Sequence, residues 1–434
     1  MRQTPYYVFD TDEFAKRAAM IRAALDCKGG RRIPLCFSIK ANPFLLHRLP
    51  EGLDHVEVCS PGELEICIAL GVKPESIIYS GVMKEKCDIE RAVSYGAGIL
   101  TCESIRHAAL ISEVMLEGMP EGVHEAEFAE TKAHVILRLT SGNQFGMSID
   151  DIEYIMSHPD EFKGITVMGI HYYSGTQKSL RKINKDLEKI KSALTGLKEK
   201  YGFEPQLVEY GPGLCVEYFE DDWQEKEKQS LDEAAEVLRE FAVEYPLGIE
   251  MGRFLAASCG KYYTQVKDLK STGDANYAIL DGGIHHLNYF GQRMAMQVPP
   301  ISIYRADEIY FGEKLGEIKG TAGPIGNTFN GCEVSENEER TEEELTQLPD
   351  TDYTLCGSLC TVADVLVREV KLKKLELGDV LEFGHCGAYS VTEAPALFLS
   401  RQLPAIYAYS KEYGYECLRE HIPAAEINLA GKKL

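Results

Sequence analysis

The feature that most constrains the fold of this sequence is an alternation of strand-like and helix-like segments, repeated eight times before residue 255. The helix-like segments include PGELEICIALGV and NKDLEKIKSALTGLKEKYG, and the second ends in a glycine that suits a helix C-terminus. The strand-like segments are short apolar or β-branched runs: Pro34–Lys40, His55–Cys59, Ser76–Ser80, Ala97–Cys102, His134–Leu139, Thr166–Tyr173, Gln206–Tyr210 and Leu247–Met251. Such a repeat is typical of an α/β protein with a (β/α)8 barrel and not of an antiparallel sandwich.

The pattern changes near Tyr262, where strand-like pieces begin to dominate: YYTQVKDL, ANYAILDGG, DYTLCGSL and GDVLEFG. With 434 residues, the chain is long enough for two domains. We therefore predict a barrel over residues 25–262, with residues 1–24 and 263–434 forming a mostly β domain, a C-terminal β-sandwich or β-barrel. The acidic, apolar-poor segment Glu333–Asp352 is predicted to be a solvated loop or insertion.

Charge and cysteine content limit the partners of the protein. The 46 basic and 68 acidic residues give a formal charge of -22, which would repel nucleic acids and anionic membranes. Met1–Asp10 has no basic-then-apolar leader, and no apolar run reaches membrane-spanning length. The thirteen cysteines are scattered without paired metal-ligand spacing, as expected of reduced cytosolic thiols. We expect a cytoplasmic protein without a metal site.

Polar residues follow several of the predicted strands. Chemistry in (β/α)8 barrels gathers at the C-terminal ends of the strands. A lysine there, such as Lys40 after the first strand, is costly to bury unless its amine is used. The other strand-end candidates are His171, Tyr173 and Thr176 after the sixth strand, Gly211 and Gly213 after the seventh, and Glu250 and Arg253 after the eighth. An amine, a carboxylate, an aromatic ring and a possible phosphate cradle would then surround one cavity.

This set of groups suits pyridoxal 5′-phosphate (PLP). The Lys40 amine would form a Schiff base with the aldehyde, and glycine amides with Arg253 would bind the phosphate. Glu250 would keep the pyridine nitrogen protonated, and Tyr173 would pack on the ring. Each group also has a plainer interpretation: an ion-pair partner for Lys40, a simple turn for the glycines, and a structural role for His171. Their order along the predicted strands favours the cofactor site.

Five residues lie in motifs that resemble those of fold-type III PLP-dependent decarboxylases, which include diaminopimelate, ornithine and arginine decarboxylases. FSIKANP resembles the motif of the Schiff-base lysine, Lys40, and EMGR resembles the motif that places Glu250 at the pyridine nitrogen and Arg253 near the phosphate. GSLCTVADVL resembles the loop that enters the partner subunit's active site, which makes Cys360 the proton donor. CGAYSV places Tyr389 near the phosphate. Without the motifs, Cys360 would be a bystander thiol and Tyr389 a core aromatic residue.

The resemblance covers nearly the whole chain and implies a TIM-like barrel of the alanine racemase type, a β domain, and a homodimer with shared active sites. Five positions depart from the family pattern. Tyr173 stands where a histidine usually covers the cofactor ring, Pro212 replaces a glycine and its N–H, and Thr176 replaces a serine. Thr361 stands where an acid usually binds the distal ammonium of the substrate, and Gln144, in a shortened segment, replaces a common lysine.

The activity that this resemblance implies is removal of the α-carboxylate of an amino acid, with meso-diaminopimelate to lysine as the first expectation. Thr361, with the shortened segment, favours an alternative: a conjugated or carrier-linked amino acid in a specialised biosynthetic pathway, bound through Cys360 and Thr361. A fold-type III racemase and an inactive regulatory relative are further alternatives. Glu250 argues against a racemase, whose pyridine nitrogen typically faces an arginine. The presence of Lys40 and the other motif residues argues against an inactive protein.

Overall fold

The chain divides into two compact units. A computed structural model describes residues 2–118, 132–292, 295–305 and 348–431. The first unit, here called the barrel unit, comprises Phe14–Glu217 and Asp222–Ala256. The second, here called the β unit, comprises Met1–Glu13, Tyr218–Asp221 and Ala257–Leu434. Within the described ranges, no helix combines the length and apolar character that crossing a membrane requires.

The barrel unit contains a closed barrel of eight parallel strands, as predicted. Strand β1 (Tyr6–Asp10) belongs to the β unit. The barrel strands are β2 (Leu35–Ser38), β3 (His55–Val58), β4 (Ile77–Tyr79), β5 (Ile99–Cys102), β6 (Ala133–Arg138), β7 (Ile165–Tyr173), β8 (Leu207–Gly211) and β9 (Leu247–Met251). Cys36, Ile78 and Ile136 form a buried cluster, as the inward-facing residues of barrel strands do. All eight predicted strands are confirmed, with small differences at their ends.

Helices alternate with these strands and pack outside the barrel. Ser60 caps the second helix by accepting a hydrogen bond from the Glu63 N–H, and Gly202, with φ +65°, ends the sixth, as predicted. The described helices of this part of the chain are α1 (Thr11–Ala24), α2 (Pro61–Ala69), α3 (Lys86–Tyr95), α4 (Ile105–Glu117), α5 (Ile149–Ser157), α6 (Leu180–Tyr201), α7 (Trp223–Glu244) and α8 (Arg253–Ala256). The chain therefore follows the predicted βα repeat.

The observed boundaries of the units differ from the predicted ones at both ends of the barrel. Residues 14–24 pack with the barrel unit, because Phe14 is fully buried and Arg17 pairs with Glu227 at 2.7 Å. The guanidinium of Arg17 also donates to the Phe254 carbonyl at 2.8 Å. Residues 257–262 group with the β unit, where a strand beginning at Gly260 pairs with β1.

The β unit is built on a mixed sheet that joins the N-terminal strand to the C-terminal part of the chain. Its strands after β1 are β10 (Gly260–Thr272), β11 (Ala275–Leu280), β12 (Ile301–Tyr304), β13 (Asp350–Cys356), β14 (Val365–Lys373), β15 (Val380–Phe383), β16 (Ala405–Ser410) and β17 (Gly414–Arg419). They run in the order β14-β13-β11-β10-β1-β16-β17, while β15 pairs with β10 and β12. The described helices are the short α9 (Ser390–Glu393) and α10 (Ala424–Asn428). The predicted β segments of this region are confirmed as strands.

The acidic segment Glu333–Asp352 lies outside the described residues as far as position 347. From Asp350 it forms the beginning of β13, and Asp350 pairs with Lys373 of β14. This end of the segment is therefore a strand rather than the predicted loop.

Candidate active site

Side chains from four segments converge at the C-terminal ends of the barrel strands. Lys40 lies in a short 3-10 turn, Ile39–Ala41, because β2 ends at Ser38 and not at the lysine as predicted. Strand β2 pairs with β9, which carries Glu250, and Tyr173 of β7 stands opposite Gly211 of β8. The barrel therefore brings the predicted strand-end residues to one region.

The Lys40 ammonium lies between two carboxylates. Its Nζ is 2.8 Å from Oε2 of Glu57 and 3.5 Å from Oε1 of Glu250, and it contacts the Cys59 thiol at 3.6 Å. The Lys40 side chain is 36% exposed, whereas that of Glu57 is 2% exposed. The amine is thus held by buried acids yet accessible from one side. Glu57 and Cys59 were not identified from the sequence, although Glu57 is a charged residue in an otherwise apolar strand.

Glu250 is oriented by hydrogen bonds to both of its oxygens. Ser38 Oγ donates to Oε1 at 2.5 Å, and His171 Nε2 lies 3.1 Å from Oε2. Burial alone would raise the pKa of Glu250, but the Lys40 ammonium and the His171 hydrogen bond hold it well below its usual range. His171 is 1% exposed, so this bond is shielded from water. Glu250 is therefore kept ionised, as a carboxylate that stabilises a protonated ring nitrogen must be.

Glu209, which no motif of the sequence marks, lies on β8 inside the barrel. It is 2% exposed, and neither of its carboxyl oxygens has a hydrogen-bond partner among the described residues. Burial, together with the charges of Glu250 and Glu57, raises its pKa well above the usual range. The barrel end thus contains one neutral acid beside the ionised Glu250.

The turn Gly211–Pro212–Gly213 packs so closely against the end of β7 and the loop after it that neither glycine has room for a side chain. A Cβ on Gly211 would lie 2.5 Å from the Tyr173 ring, and one on Gly213 would lie 2.1 Å from the Gly175 carbonyl oxygen. Gly213 also has φ +57°, which favours glycine. Such close loops expose backbone N–H groups, as phosphate sites require. Thr176 is half-buried in the adjoining loop.

A buried lysine, Lys178, which no motif of the sequence marks, stabilises this pair of loops. Its ammonium pairs with Asp186 at 2.8 Å and donates to the Gly211 carbonyl at 2.9 Å. It also lies 5.6 Å from the centre of the Tyr173 ring. Burial raises the pKa of Tyr173, so its phenol remains neutral. Arg253 is the first residue of α8, immediately beyond β9 and the glycine that follows it.

The predicted residues Cys360, Thr361 and Tyr389 belong to the β unit. Cys360 is exposed on the loop between β13 and β14. This loop is shaped by Asp364, whose carboxylate accepts from the Leu359 N–H at 2.7 Å and is itself 2% exposed. Tyr389 has a left-handed backbone, with φ +67°, just before α9.

The residues of the barrel unit fit PLP in three respects. Lys40 offers an accessible amine, Glu250 is an ionised carboxylate, and the Gly211–Gly213 turn is a cradle that a Cβ would fill. These are the groups that the aldehyde, the ring nitrogen and the phosphate need. The arrangement suits removal of a group from the α-carbon of an amino acid.

Comparison with known proteins supports the same chemistry. Residues 11–257 match the family model described as "Pyridoxal-dependent decarboxylase, pyridoxal binding domain". An "L-glutamyl-[BtrI acyl-carrier protein] decarboxylase" of Niallia circulans is 26% identical, covering 98% of this chain and 93% of the relative. A diaminopimelate decarboxylase of Zymomonas mobilis is 25% identical, covering 93% and 86%.

A third relative acts on a conjugated amino acid according to its name. It is the "2-[(L-alanin-3-ylcarbamoyl)methyl]-2-hydroxybutanedioate decarboxylase" of Staphylococcus aureus, which is 27% identical over 85% of this chain and 86% of its own. Among solved structures, diaminopimelate decarboxylase from Helicobacter pylori, complexed with L-lysine, has a TM-score of 0.73 and 19% identity. That match covers 98% of this chain and 96% of the other and supports the same fold.

Proposed function

The chain belongs to the pyridoxal-dependent decarboxylase family, and we propose that, within this family, it decarboxylates an amino acid whose distal end is conjugated to another molecule or to a carrier protein. The family establishes a PLP-dependent carboxy-lyase acting on an amino acid. The names of two relatives specify a carrier-linked and a conjugated amino acid. The proposal therefore concerns which amino acid is used.

The observation that carries this proposal is the absence of an available acid in the loop around Cys360. Thr361 follows the cysteine, and its hydroxyl accepts from the Ala363 N–H at 3.3 Å. The carboxylate in the sequence GSLCTVAD is Asp364, which is buried and accepts backbone N–H groups from Leu359 and Ile284. A free distal ammonium would find no counter-charge on this loop, whereas an amide or ester would need none.

The residues of the barrel unit have separate roles in this proposal. PLP, when bound, supplies an electron sink for the electrons of the bond between Cα and the carboxylate. Lys40 would hold the cofactor through its amine, and Glu250, fixed by His171, would keep the ring nitrogen protonated. Tyr173 would pack on the ring face. Gly211, Gly213, Thr176 and Arg253 would bind the phosphate.

The resemblance to the family assigns further roles to two residues of the β unit. Cys360 would deliver a proton to the α-carbon after carbon dioxide leaves, and its exposure makes the thiol accessible to a substrate. Tyr389 would approach the phosphate. We propose a homodimer in which Cys360 serves the active site of the partner subunit.

The dimer can be tested by mixing two inactive variants, Lys40→Ala and Cys360→Ala. If each site combines Lys40 of one subunit with Cys360 of the other, random exchange should restore about one quarter of the wild-type activity, because half of the dimers then contain one intact site. No recovery after exchange, with dimers verified by ultracentrifugation, would contradict shared sites.

Substrate class is tested by carbon dioxide release from PLP-loaded protein. The panel comprises meso-diaminopimelate, ornithine, lysine, arginine, their distally N-acylated forms and a glutamyl thioester. Release from a conjugate, with little from any free diamine, is the expected result. The Lys40→Ala variant is the control and should release none.

A second candidate is decarboxylation of meso-diaminopimelate to lysine. It is favoured by the similarity to the Zymomonas mobilis enzyme over 93% of this chain. A kcat/KM for free meso-diaminopimelate above that of every conjugate would establish this candidate and overturn our interpretation of Thr361.

A further inference from the structure

Lys178 is a buried cation beside the proposed phosphate site, and the assigned roles do not use it. Its side chain is 3% exposed, and its ammonium contacts Asp186 at 2.8 Å and Ser174 Oγ at 3.2 Å. Asp186 also accepts from Ser174 Oγ at 2.7 Å and from Tyr210 Oη at 3.0 Å. A buried ion pair is weak evidence for stability, since apolar residues in its place are often as stable or more so. The position of Lys178 beside the glycine turn therefore indicates a role other than stabilising the fold.

Lys178 holds the turn Gly211–Pro212–Gly213 at both of its glycines. The ammonium donates to the Gly211 carbonyl at 2.9 Å, and the backbone N–H of Lys178 donates to the Gly213 carbonyl at 2.9 Å. A trans peptide places C=O and N–H on opposite sides, so the Leu214 N–H points away from Lys178. Both glycine carbonyls are thereby turned toward the lysine and away from an anion on the other side of the turn.

The fixing of this turn matters because it has few N–H groups to offer a phosphate. Pro212 has no N–H to offer an anion, and a phosphate group carries between one and two negative charges. The Lys178 side chain packs directly behind the turn, because a Cβ added to Gly213 would lie 2.8 Å from Lys178 Cε. Because Asp186 balances the ammonium charge at 2.8 Å, Lys178 would act on an anion by fixing the donors of the turn rather than by its net charge.

We propose that Lys178 is a positioning residue for the cofactor phosphate, which fixes the glycine turn through both of its carbonyls and so orients the N–H groups that remain where Pro212 supplies none. This inference rests on the proposed placement of the phosphate at Gly211 and Gly213. It concerns binding and not the chemical step, so it can be tested without turnover.

The test compares the affinities of the protein for PLP and for pyridoxal, which lacks the phosphate. Dissociation constants are measured by equilibrium dialysis and visible absorbance for the wild type, Lys178→Met and Lys182→Met. Lys182 is exposed in the first turn of α6, four residues after Lys178, and is the matched control. Lys178→Met should weaken PLP binding by about tenfold or more, since hydrogen bonds to charged groups contribute that much. Pyridoxal binding should change less than twofold, and Lys182→Met should change neither constant.

Because Lys178→Met leaves Asp186 buried without a cation, the double variant Lys178→Met/Asp186→Asn serves if the single variant fails to fold. Asparagine keeps an acceptor for Ser174 and Tyr210. An equal loss for PLP and pyridoxal, or no loss for PLP, in the folded variant would overturn the role of Lys178. A wild-type protein that binds PLP no better than pyridoxal would instead overturn the proposed phosphate site itself.

Discussion

Replacing Gly213 by alanine tests whether the glycine turn is as crowded as the structure indicates. The residue has φ +57°, and a Cβ there would lie 2.1 Å from the Gly175 carbonyl oxygen and 2.8 Å from Lys178 Cε. The matched control is Gly202→Ala at the end of α6. Gly202 has a similar φ of +65°, but no atom lies within 4 Å of an added Cβ.

The comparison of the two variants gives the expected loss in the free energy of unfolding. Alanine in a left-handed conformation costs about 1 kcal/mol, and both variants incur this cost. Gly213→Ala must also move its carbonyl away from the Lys178 N–H, which gives up a hydrogen bond of about 1 kcal/mol. The displaced turn would also weaken the hydrogen bond from the Lys178 ammonium to the Gly211 carbonyl, which costs about 1 kcal/mol more. We therefore expect Gly213→Ala to lower the free energy of unfolding by about 2 kcal/mol more than Gly202→Ala does.

The assay is urea unfolding of both variants without added cofactor, followed by the fluorescence of Trp223. This is the only tryptophan of the chain and lies at the start of α7 in the barrel unit. PLP affinity, measured by dialysis, should fall for Gly213→Ala and remain at the wild-type value for Gly202→Ala. Equal unfolding midpoints and equal PLP affinities for the two variants would refute the close packing of the turn.

Three further changes give expected outcomes. Glu250→Gln should lower the rate of carbon dioxide release about 100-fold while PLP remains bound, as shown by its visible absorbance, because glutamine carries no charge to stabilise a protonated ring nitrogen. Thr361→Asp should raise kcat/KM for free meso-diaminopimelate about tenfold and lower it for a conjugate, and an unchanged ratio would contradict our substrate proposal. The folded-state pKa of Glu209 is raised above its ordinary value of 4.5, so the contribution of Glu209 to stability should fall as pH rises above 4.5, where this residue ionises only in the unfolded chain. Glu209→Gln stays neutral and should lose less stability than the wild type between pH 5 and pH 7 in urea titrations.

The fold was predictable because the strands of a parallel barrel are buried on both faces and read as nearly continuous apolar runs. The position of α1 was not predictable, since its assignment to the barrel unit depends on Arg17 contacting Glu227 and Phe254, which are more than 200 positions away. The end of β2 was placed too late for a related reason. Ile39 and Ala41 are buried and apolar like the strand before them, although they form a 3-10 turn.

The strand-end residues were predictable where a local motif contains them, as for Lys40 and Glu250. Their partners were not predictable, because the contacts of Glu57 with Lys40 and of Lys178 with Gly211 join segments that are separate in the sequence. Side chains alternate between the inside and the outside of a barrel strand, and this alternation marks Glu57 as a charged residue that faces the barrel interior. Lys178 offered no such signal, since a lysine in the loop before an amphipathic helix is ordinarily exposed.

Charged groups lie on two sides of the proposed cofactor site. Around Lys40 lie Glu57 and the ionised Glu250, so one cation faces two acids. Behind the glycine turn the Lys178 ammonium is balanced by Asp186 and donates to the Gly211 carbonyl, and Arg253 follows β9. Buried charge without compensation is costly, so a ligand that brings a cation to the acids around Lys40 should be favoured over one that does not. PLP is such a ligand, with a protonated ring nitrogen at one end and an anionic phosphate at the other. In the proposed orientation, with the ring toward Glu250 and the phosphate toward Gly213, the ring nitrogen would meet a carboxylate and the phosphate would meet the turn and Arg253.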